Sequence, residues 1–303
     1  MGALESTLRR PSALTWRETV SAYVALSKPR IITLLLITTV PAMILADKGL
    51  PSLWLMFATV VGGTLAAGGA NAFNCYADRD IDELMHRTQG RPLPLGKLEP
   101  ANALVFGVAL EAAAFALLAL SSNLLAASLA LSATWFYVFV YTMWLKRRTP
   151  QNIVIGGAAG AMPPLVGWAA VTGDLAPAAF VLFAIIFLWT PPHFWALSIK
   201  YRDDYARANV PMLPVVATLA STKNQIFAYT LVLVPASLLL LATGTVSWIY
   251  GAAAVLLGAM FIGEAWRLRS SEGPGGAMAV FRASIYYLAL IFVAVAADQL
   301  ILR

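Results

Sequence analysis

Nine runs of mostly apolar residues follow one another along the chain, each close to the roughly 20 residues an α-helix needs to cross a bilayer. They cover Ile31–Ala46, Leu53–Phe73, Ala101–Leu120, Leu124–Trp144, Ile153–Val171, Pro177–Leu197, Gln225–Ala242, Ser247–Trp266 and Met278–Leu302. A chain with this many such runs folds as a helical membrane protein, because in lipid each backbone polar group must find its partner within its own segment. Composition agrees. Hydrophobic residues make up 60% of the 303 residues and charged residues 12%, against about 45–50% and about 25% in an ordinary soluble domain. That excludes a soluble globular fold and a disordered chain. A single cysteine excludes a disulfide scaffold within the chain. The expected fold is all-α and polytopic, with nine transmembrane helices around a central cavity.

Charge sets the expected orientation. If the spans alternate, all of the 21 Lys and Arg residues except Lys48 and Arg303 fall on one side. That side holds Arg9, Arg10, Arg17, Lys28 and Arg30, then Arg79, Arg87, Arg91 and Lys97, then Lys146, Arg147 and Arg148, then Lys200, Arg202, Arg207 and Lys223, then Arg267, Arg269 and Arg282. The N-terminus is expected inside and the C-terminus outside. The net charge of +6 is therefore topogenic and no sign of nucleic-acid binding. Residues 1–27 lack the apolar core of a signal peptide and read as a cytoplasmic tail with an interfacial helix. Residues 28–303 read as one transmembrane domain.

Polar groups gather on the inner side. Asn71, Asn74, Asp78 and Asp82 continue the second span, and residues four apart on a helix are offset by only about 40°. All four share one face; Asp80 points to the other. Two carboxylates one turn apart repel unless a cation lies between them, and one or two carboxylates plus phosphate oxygens suit Mg²⁺. The plain alternative is a solvated helix end. A second cluster, His193, Lys200, Asp203, Asp204 and Tyr205, ends the sixth span, with His193, Lys200 and Asp204 expected on one face. Each cluster precedes a proline-bracketed loop, Arg91-Pro-Leu-Pro94 and Pro211-Met-Leu-Pro214. This weak internal repeat suggests two related halves around one cavity. A third cluster, Tyr141 with Lys146 and Arg147, supplies cations that can hold phosphate oxygens, although topology alone would place cations there.

Within the fifth span, Gly156, Gly157, Gly160, Pro163 and Pro164 fit either close helix packing or a cavity wall. Glu111, deep in the third span, is either functional or hydrogen-bonded to a neighbouring helix. Cys75 reads as a packing residue and His86 as incidental. Acid clusters and cations at one end of a lipid-embedded cavity suggest a divided substrate: a Mg²⁺-bound polyphosphate at the surface and an apolar portion among the helices, as in a prenyl diphosphate.

The string from Asn74 through Asp78-Arg-Asp-Ile-Asp82 to Arg87 and Arg91-Pro-Leu resembles the first Asp-rich motif of the UbiA-type intramembrane prenyltransferases, most closely their protohaem IX farnesyltransferase branch. So do Leu145-Lys-Arg-Arg-Thr-Pro-Gln-Asn152, Trp189-Thr-Pro-Pro-His193-Phe-Trp195 and Asp203-Asp-Tyr-Ala-Arg-Ala-Asn-Val-Pro-Met-Leu-Pro214. The resemblance implies nine helices, Mg²⁺ dependence, and transfer of the farnesyl group of farnesyl diphosphate to a vinyl group of haem b with addition of water, giving haem O. It implies a bacterial inner-membrane enzyme with a cytoplasmic site and a downstream haem O oxidase as partner. Carried over, Asn74, Asp78, Asp82 and Asp204 are metal ligands, and Lys146, Lys200 and Asp203 join them in the catalytic set. Asn71, Arg87, Arg91, Arg147, Tyr141, His193 and Tyr205 bind substrate. Asn209 stands where the motif has Gly. His193 could face haem as an iron ligand or propionate partner, or take a proton from the quenching water; a hydrogen-bonded structural histidine is the alternative. Rival readings are a quinone-precursor or other aromatic acceptor, a secondary transporter, and a non-catalytic haem chaperone.

Overall fold

A computed structural model describes residues 14–302. Arg9, Arg10 and Arg303, and the side chains of residues 30–36, lie outside that description. Every regular element among the described residues is a helix.

Helix α1 (Trp16–Ser27) starts on a capping box in which Thr15 and Glu18 satisfy each other's backbone amides. Lys28, in the left-handed region at φ 52°, turns the chain into α2 (Pro29–Asp47). Then follow α3 (Leu53–Ala77), the six-residue α4 (Arg79–Leu84), α5 (Pro100–Ser121) and α6 (Leu124–Trp135). The sixth helix continues as a π-helix over Phe136–Trp144 and a 3-10 turn over Leu145–Arg147. Next come α7 (Asn152–Gly160) and α8 (Pro163–Thr172), which split the expected fifth span where Pro163 restarts the helix at its first turn. The chain ends with α9 (Pro177–Lys200), α10 (Arg202–Arg207), α11 (Leu213–Val216), α12 (Leu219–Ala242), α13 (Trp248–Ser270) and α14 (Ala277–Leu302).

Eight helical stretches among the described residues are long and apolar enough to cross a membrane. They are α3, α5, α6 through Arg147, α7 with α8, α9, α12, α13 and α14. The remaining expected span coincides with α2, whose Ile37–Asp47 portion is apolar but shorter.

Small residues bring the helices close, as packing in lipid requires. A Cβ on Gly62 would fall 2.7 Å from Leu118, and one on Gly107 would fall 2.8 Å from Phe73, so α3 and α5 approach almost backbone to backbone. Glu111 belongs to this seam. It accepts a 2.8 Å hydrogen bond from Thr134 on α6, and a Cβ on Gly69 would meet its carboxylate at 2.9 Å. It is thus hydrogen-bonded to a neighbouring helix. Gly156 and Gly157 serve the same end, since a Cβ on Gly156 would collide with the Tyr141 ring and one on Gly157 would lie 3.0 Å from Thr190. Cys75 packs with Ala22 and Leu26 of α1, Ala72 and Leu93.

At the end of the bundle away from the acid clusters, Asp298 of α14 is buried and caps α13. It accepts from the Ser247 amide at 3.0 Å, the Ser247 hydroxyl at 2.7 Å and the Tyr250 amide at 3.0 Å.

Candidate active site

Two matching modules build the site. In each, a long membrane helix ends at a one-residue joint and restarts as a six-residue helix: α3, Asp78, α4, and α9, Tyr201, α10. At the first joint the hydrogen-bond ladder is nearly unbroken, with Asp78 N bonded to Asn74 O at 2.9 Å and Asp82 N to Asp78 O at 2.8 Å. Asn74, Asp78 and Asp82 therefore keep their common face, and all three are buried.

Cations close on that face from three elements. Lys146 donates to Asp78 Oδ2 at 2.5 Å and Arg91 to Asp82 Oδ2 at 2.6 Å. Lys28, at the α1–α2 corner, donates to Asn74 Oδ1 at 2.6 Å. The Asn74 amide nitrogen donates to Asp78 Oδ2 at 2.8 Å and to Thr142 at 3.0 Å. Burial draws the Lys28 ammonium down to about 8, and no carboxylate forms an ion pair with it among the described residues. Three cations thus converge on two carboxylates, and the surplus positive charge suits an anion.

The second module meets the first through Arg87. Its backbone amide donates to Asp204 Oδ2 at 3.2 Å, its guanidinium donates to the Tyr205 hydroxyl at 3.0 Å, and it lies over the rings of Tyr201 and Tyr205 at 5.1 and 5.4 Å. Arg207 pairs with Asp204 and reaches His86 Nε2 at 2.9 Å. His86 is thus part of the contact between the two loops.

Other expected residues stand apart. The Asp203 side chain is 92% exposed, with Arg202 3.9 Å away. Lys200 is exposed beside Tyr201. At the second joint Tyr201 sits at φ −104° and ψ 24°, and the Tyr205 amide bonds back to the Tyr201 carbonyl at 3.1 Å. His193 and Asp204 are buried and Lys200 is exposed. Asn71 donates to the Ser27 carbonyl at 2.9 Å and secures the end of α1. Arg147 forms a two-pronged pair with Asp80, both contacts at 2.6 Å, and that pairing holds the Asp80 carboxyl below its usual range. Tyr141 stacks on Tyr137 with ring centres 5.4 Å apart. His193 is buried between Trp189 and Phe281, at 4.1 and 4.6 Å, with Nδ1 2.7 Å from the Ser284 hydroxyl.

Lys28, Thr142 and the π-helix were not recognised in the sequence. Tyr137 and Thr142 are five apart and would lie about 140° apart on an α-helix. The i→i+5 register places them on one side, and such stretches are frequent at functional sites.

The donor set suits a magnesium ion. Among the described residues no group of three or more His, Cys, Asp and Glu can cage a metal. Two carboxylates on one face, with room for substrate oxygens and water, are what Mg²⁺ ordinarily takes. Asp78 Oδ1 is buried without a hydrogen-bond partner, with Arg147 3.9 Å away.

The UbiA prenyltransferase family model matches residues 35–296. This chain belongs to the UbiA prenyltransferase family. It is an integral membrane enzyme. A relative from Saccharopolyspora erythraea, protoheme IX farnesyltransferase 1, is 56% identical over 286 residues, covering 93% of this chain and 91% of that one. A protoheme IX farnesyltransferase from Clavibacter michiganensis is 54% identical over 302 residues, covering 99% and 98%. Among solved structures, a digeranylgeranylglyceryl phosphate synthase superposes with a TM-score of 0.77 at 18% identity, covering 93% of this chain and 99% of that one. A UbiA homolog from Archaeoglobus fulgidus bound to DMAPP and Mg²⁺ gives 0.61 at 15% identity, covering 91% and 99%. These two establish the UbiA fold for this chain.

Proposed function

We propose that this enzyme transfers the farnesyl group of farnesyl diphosphate to a vinyl group of haem b, with addition of water, giving haem O and diphosphate. The observation that carries the diphosphate half is the buried Asn74–Asp78–Asp82 face, to which Lys28, Lys146 and Arg91 each donate. The acceptor half is supported by the protoheme IX farnesyltransferase names of relatives above half identity.

Asn74, Asp78 and Asp82 would hold Mg²⁺ together with the diphosphate; Asp204, expected as a further ligand, has its two oxygens on Arg207 and the Arg87 amide and forms no three-acid group with Asp78 and Asp82. The ion would supply neutralisation of the charge that grows on the departing diphosphate. Lys28, Lys146 and Arg91 already converge on that position, and Arg87, in the loop that follows the first module, would add a further cation. Preorganised cations of this kind favour the state in which the C1–O bond of the allyl group breaks and its electron pair leaves with diphosphate. The terminal vinyl carbon of haem b then bonds to C1. The inner vinyl carbon, left cationic, takes the oxygen of water, and a proton is released. Buried surroundings keep water from the allylic cation before the vinyl group reaches it.

His193 is assigned to the acceptor end. Its ring faces are covered by Trp189 and Phe281 and its Nδ1 is engaged by Ser284, which leaves Nε2 for a ligand. Residues 28–303 act as one transmembrane unit with residues 1–27 at the cytoplasmic surface. The acid-bearing end faces the cytoplasm of a bacterial inner membrane, as its Lys and Arg excess supports. A haem O oxidase is the proposed consumer of the product. Purified protein incubated with farnesyl diphosphate, Mg²⁺ and haem b should form a species with the mass of haem O. Prenylation of an aromatic acceptor in place of haem would move the assignment elsewhere in the family.

A further inference from the structure

We propose that Asp80 and Arg147 form a positioning clamp that holds Asp78 and Lys146 in register for departure of the diphosphate. Asp80 stands on the side of the helix away from the acid face, and the mechanism above gives it no task. Its carboxylate nonetheless takes both prongs of the Arg147 guanidinium at 2.6 Å each. The same guanidinium donates to the Ala77 carbonyl at 2.8 Å. Ala77 is the last residue of α3 and Asp80 lies in the first turn of α4. One planar group therefore grips both sides of the Asp78 joint, whose backbone sits at φ −94° and ψ 3°, in the sparsely allowed region common among active-site residues.

Chain connectivity completes the argument. The residue before Arg147 is Lys146, which bonds Asp78 itself. Anchoring Arg147 to Ala77 and Asp80 fixes where Lys146 can reach. It also fixes the direction of Asp78, whose Oδ1 has no hydrogen-bond partner. The edge of the guanidinium that would fork onto a phosphate is filled by a carboxylate, so Arg147 acts through its neighbours. The pair is largely solvent-exposed, 35% for Arg147 and 59% for Asp80, and exposed pairs add little to global stability. The clamp's consequence lies in local geometry, where a small misplacement is costly to the rate.

This inference rests on the prenyl-transfer reading, and its test separates the two. Asp80→Asn, Arg147→Lys and Arg147→Ala are compared with the unaltered enzyme for kcat, for KM of farnesyl diphosphate, and for hydrogen exchange of the Asp78 and Asp82 amides. The clamp predicts that all three lower kcat by about 10- to 100-fold, with KM changed less than about threefold and the melting temperature unmoved. Arg147→Lys should be as poor as Arg147→Ala, because an ammonium cannot hold the carbonyl and both carboxylate oxygens together. The two amides should exchange faster in every variant. A wild-type kcat in Asp80→Asn with unchanged exchange overturns the clamp. So does a raised KM in Arg147→Ala that Arg147→Lys restores, since that marks Arg147 as a direct phosphate contact. If the unaltered enzyme makes no prenylated product, the functional reading falls, while the exchange measurement still judges the clamp.

Discussion

The backbone amide of Arg87 donates to the carboxylate of Asp204 across 3.2 Å, joining residues 117 apart in the chain. The two acid-bearing modules therefore meet at one end of the bundle. The same arginine reaches Tyr205 with its guanidinium. Arg87 thus holds the two loops together, and in the proposed reaction it would offer charge to the diphosphate.

Arg87→Ala should raise KM for farnesyl diphosphate by about tenfold or more, as loss of a charge-assisted contact does. Tyr205→Phe removes the hydroxyl that accepts from the Arg87 guanidinium, a charge-assisted bond, and should cost about tenfold. Steady-state kinetics in detergent or nanodiscs measures both.

Chelation of divalent ions should abolish turnover and Mg²⁺ should restore it. Asp78→Asn and Asp82→Asn should each raise the Mg²⁺ concentration needed for half activity, and the double variant should be inactive yet inserted and folded. A Mg²⁺ titration of initial rates, with a melting curve for each variant, reports this.

Gly156→Ala should be harmful and Gly160→Ala harmless. A Cβ at residue 156 would collide with the Tyr141 ring, whereas one at residue 160 has nothing within 4 Å. Overpacking at the first should cost about 1–3 kcal/mol and lower activity by moving Tyr141. Melting curves and turnover of the pair compare the two positions directly.

His193→Ala should weaken haem b binding and slow haem O formation while leaving diphosphate affinity intact. Retention of both haem binding and haem O formation removes His193 from the acceptor site. Haem titration by absorbance and product inhibition by inorganic diphosphate make the comparison.

Asp298→Ala tests the scaffold alone. It leaves the Ser247 and Tyr250 amides without their acceptor and should cost about 1–3 kcal/mol of stability. KM for farnesyl diphosphate should not change. A lowered melting temperature with wild-type KM is the expected pair of readings.

The apolar runs are legible in the sequence because a bilayer imposes length and composition together. The face shared by Asn74, Asp78 and Asp82 is legible because the hydrogen-bond ladder continues through the Asp78 joint. In the second module Asp204 is buried and engaged by Arg87 and Arg207, whereas Asp203, about 100° around the same short helix, and Lys200 are exposed. Lys28 is hidden for another reason: a lysine beginning a span is indistinguishable from a topogenic charge until its ammonium is seen on Asn74. Arg147 shows the converse, since a cation in a basic motif turns out to face Asp80. Nothing in the apolar string Phe136–Trp144 signals the π register it adopts. Asp298, a lone acid near the end of the last span, becomes a helix cap only once α13 is beside it.

The central claim is that the Asn74–Asp78–Asp82 face, ringed by Lys28, Lys146 and Arg91, releases diphosphate during prenyl transfer to haem. Mass spectrometry of the haem pool after incubation with farnesyl diphosphate, haem b and Mg²⁺ tests it most directly, run on the unaltered enzyme and on the Asp78→Asn, Asp82→Asn double variant. The account predicts haem O and free diphosphate from the first and neither from the second. Haem O from the double variant at an undiminished rate, or none from the unaltered enzyme, contradicts it.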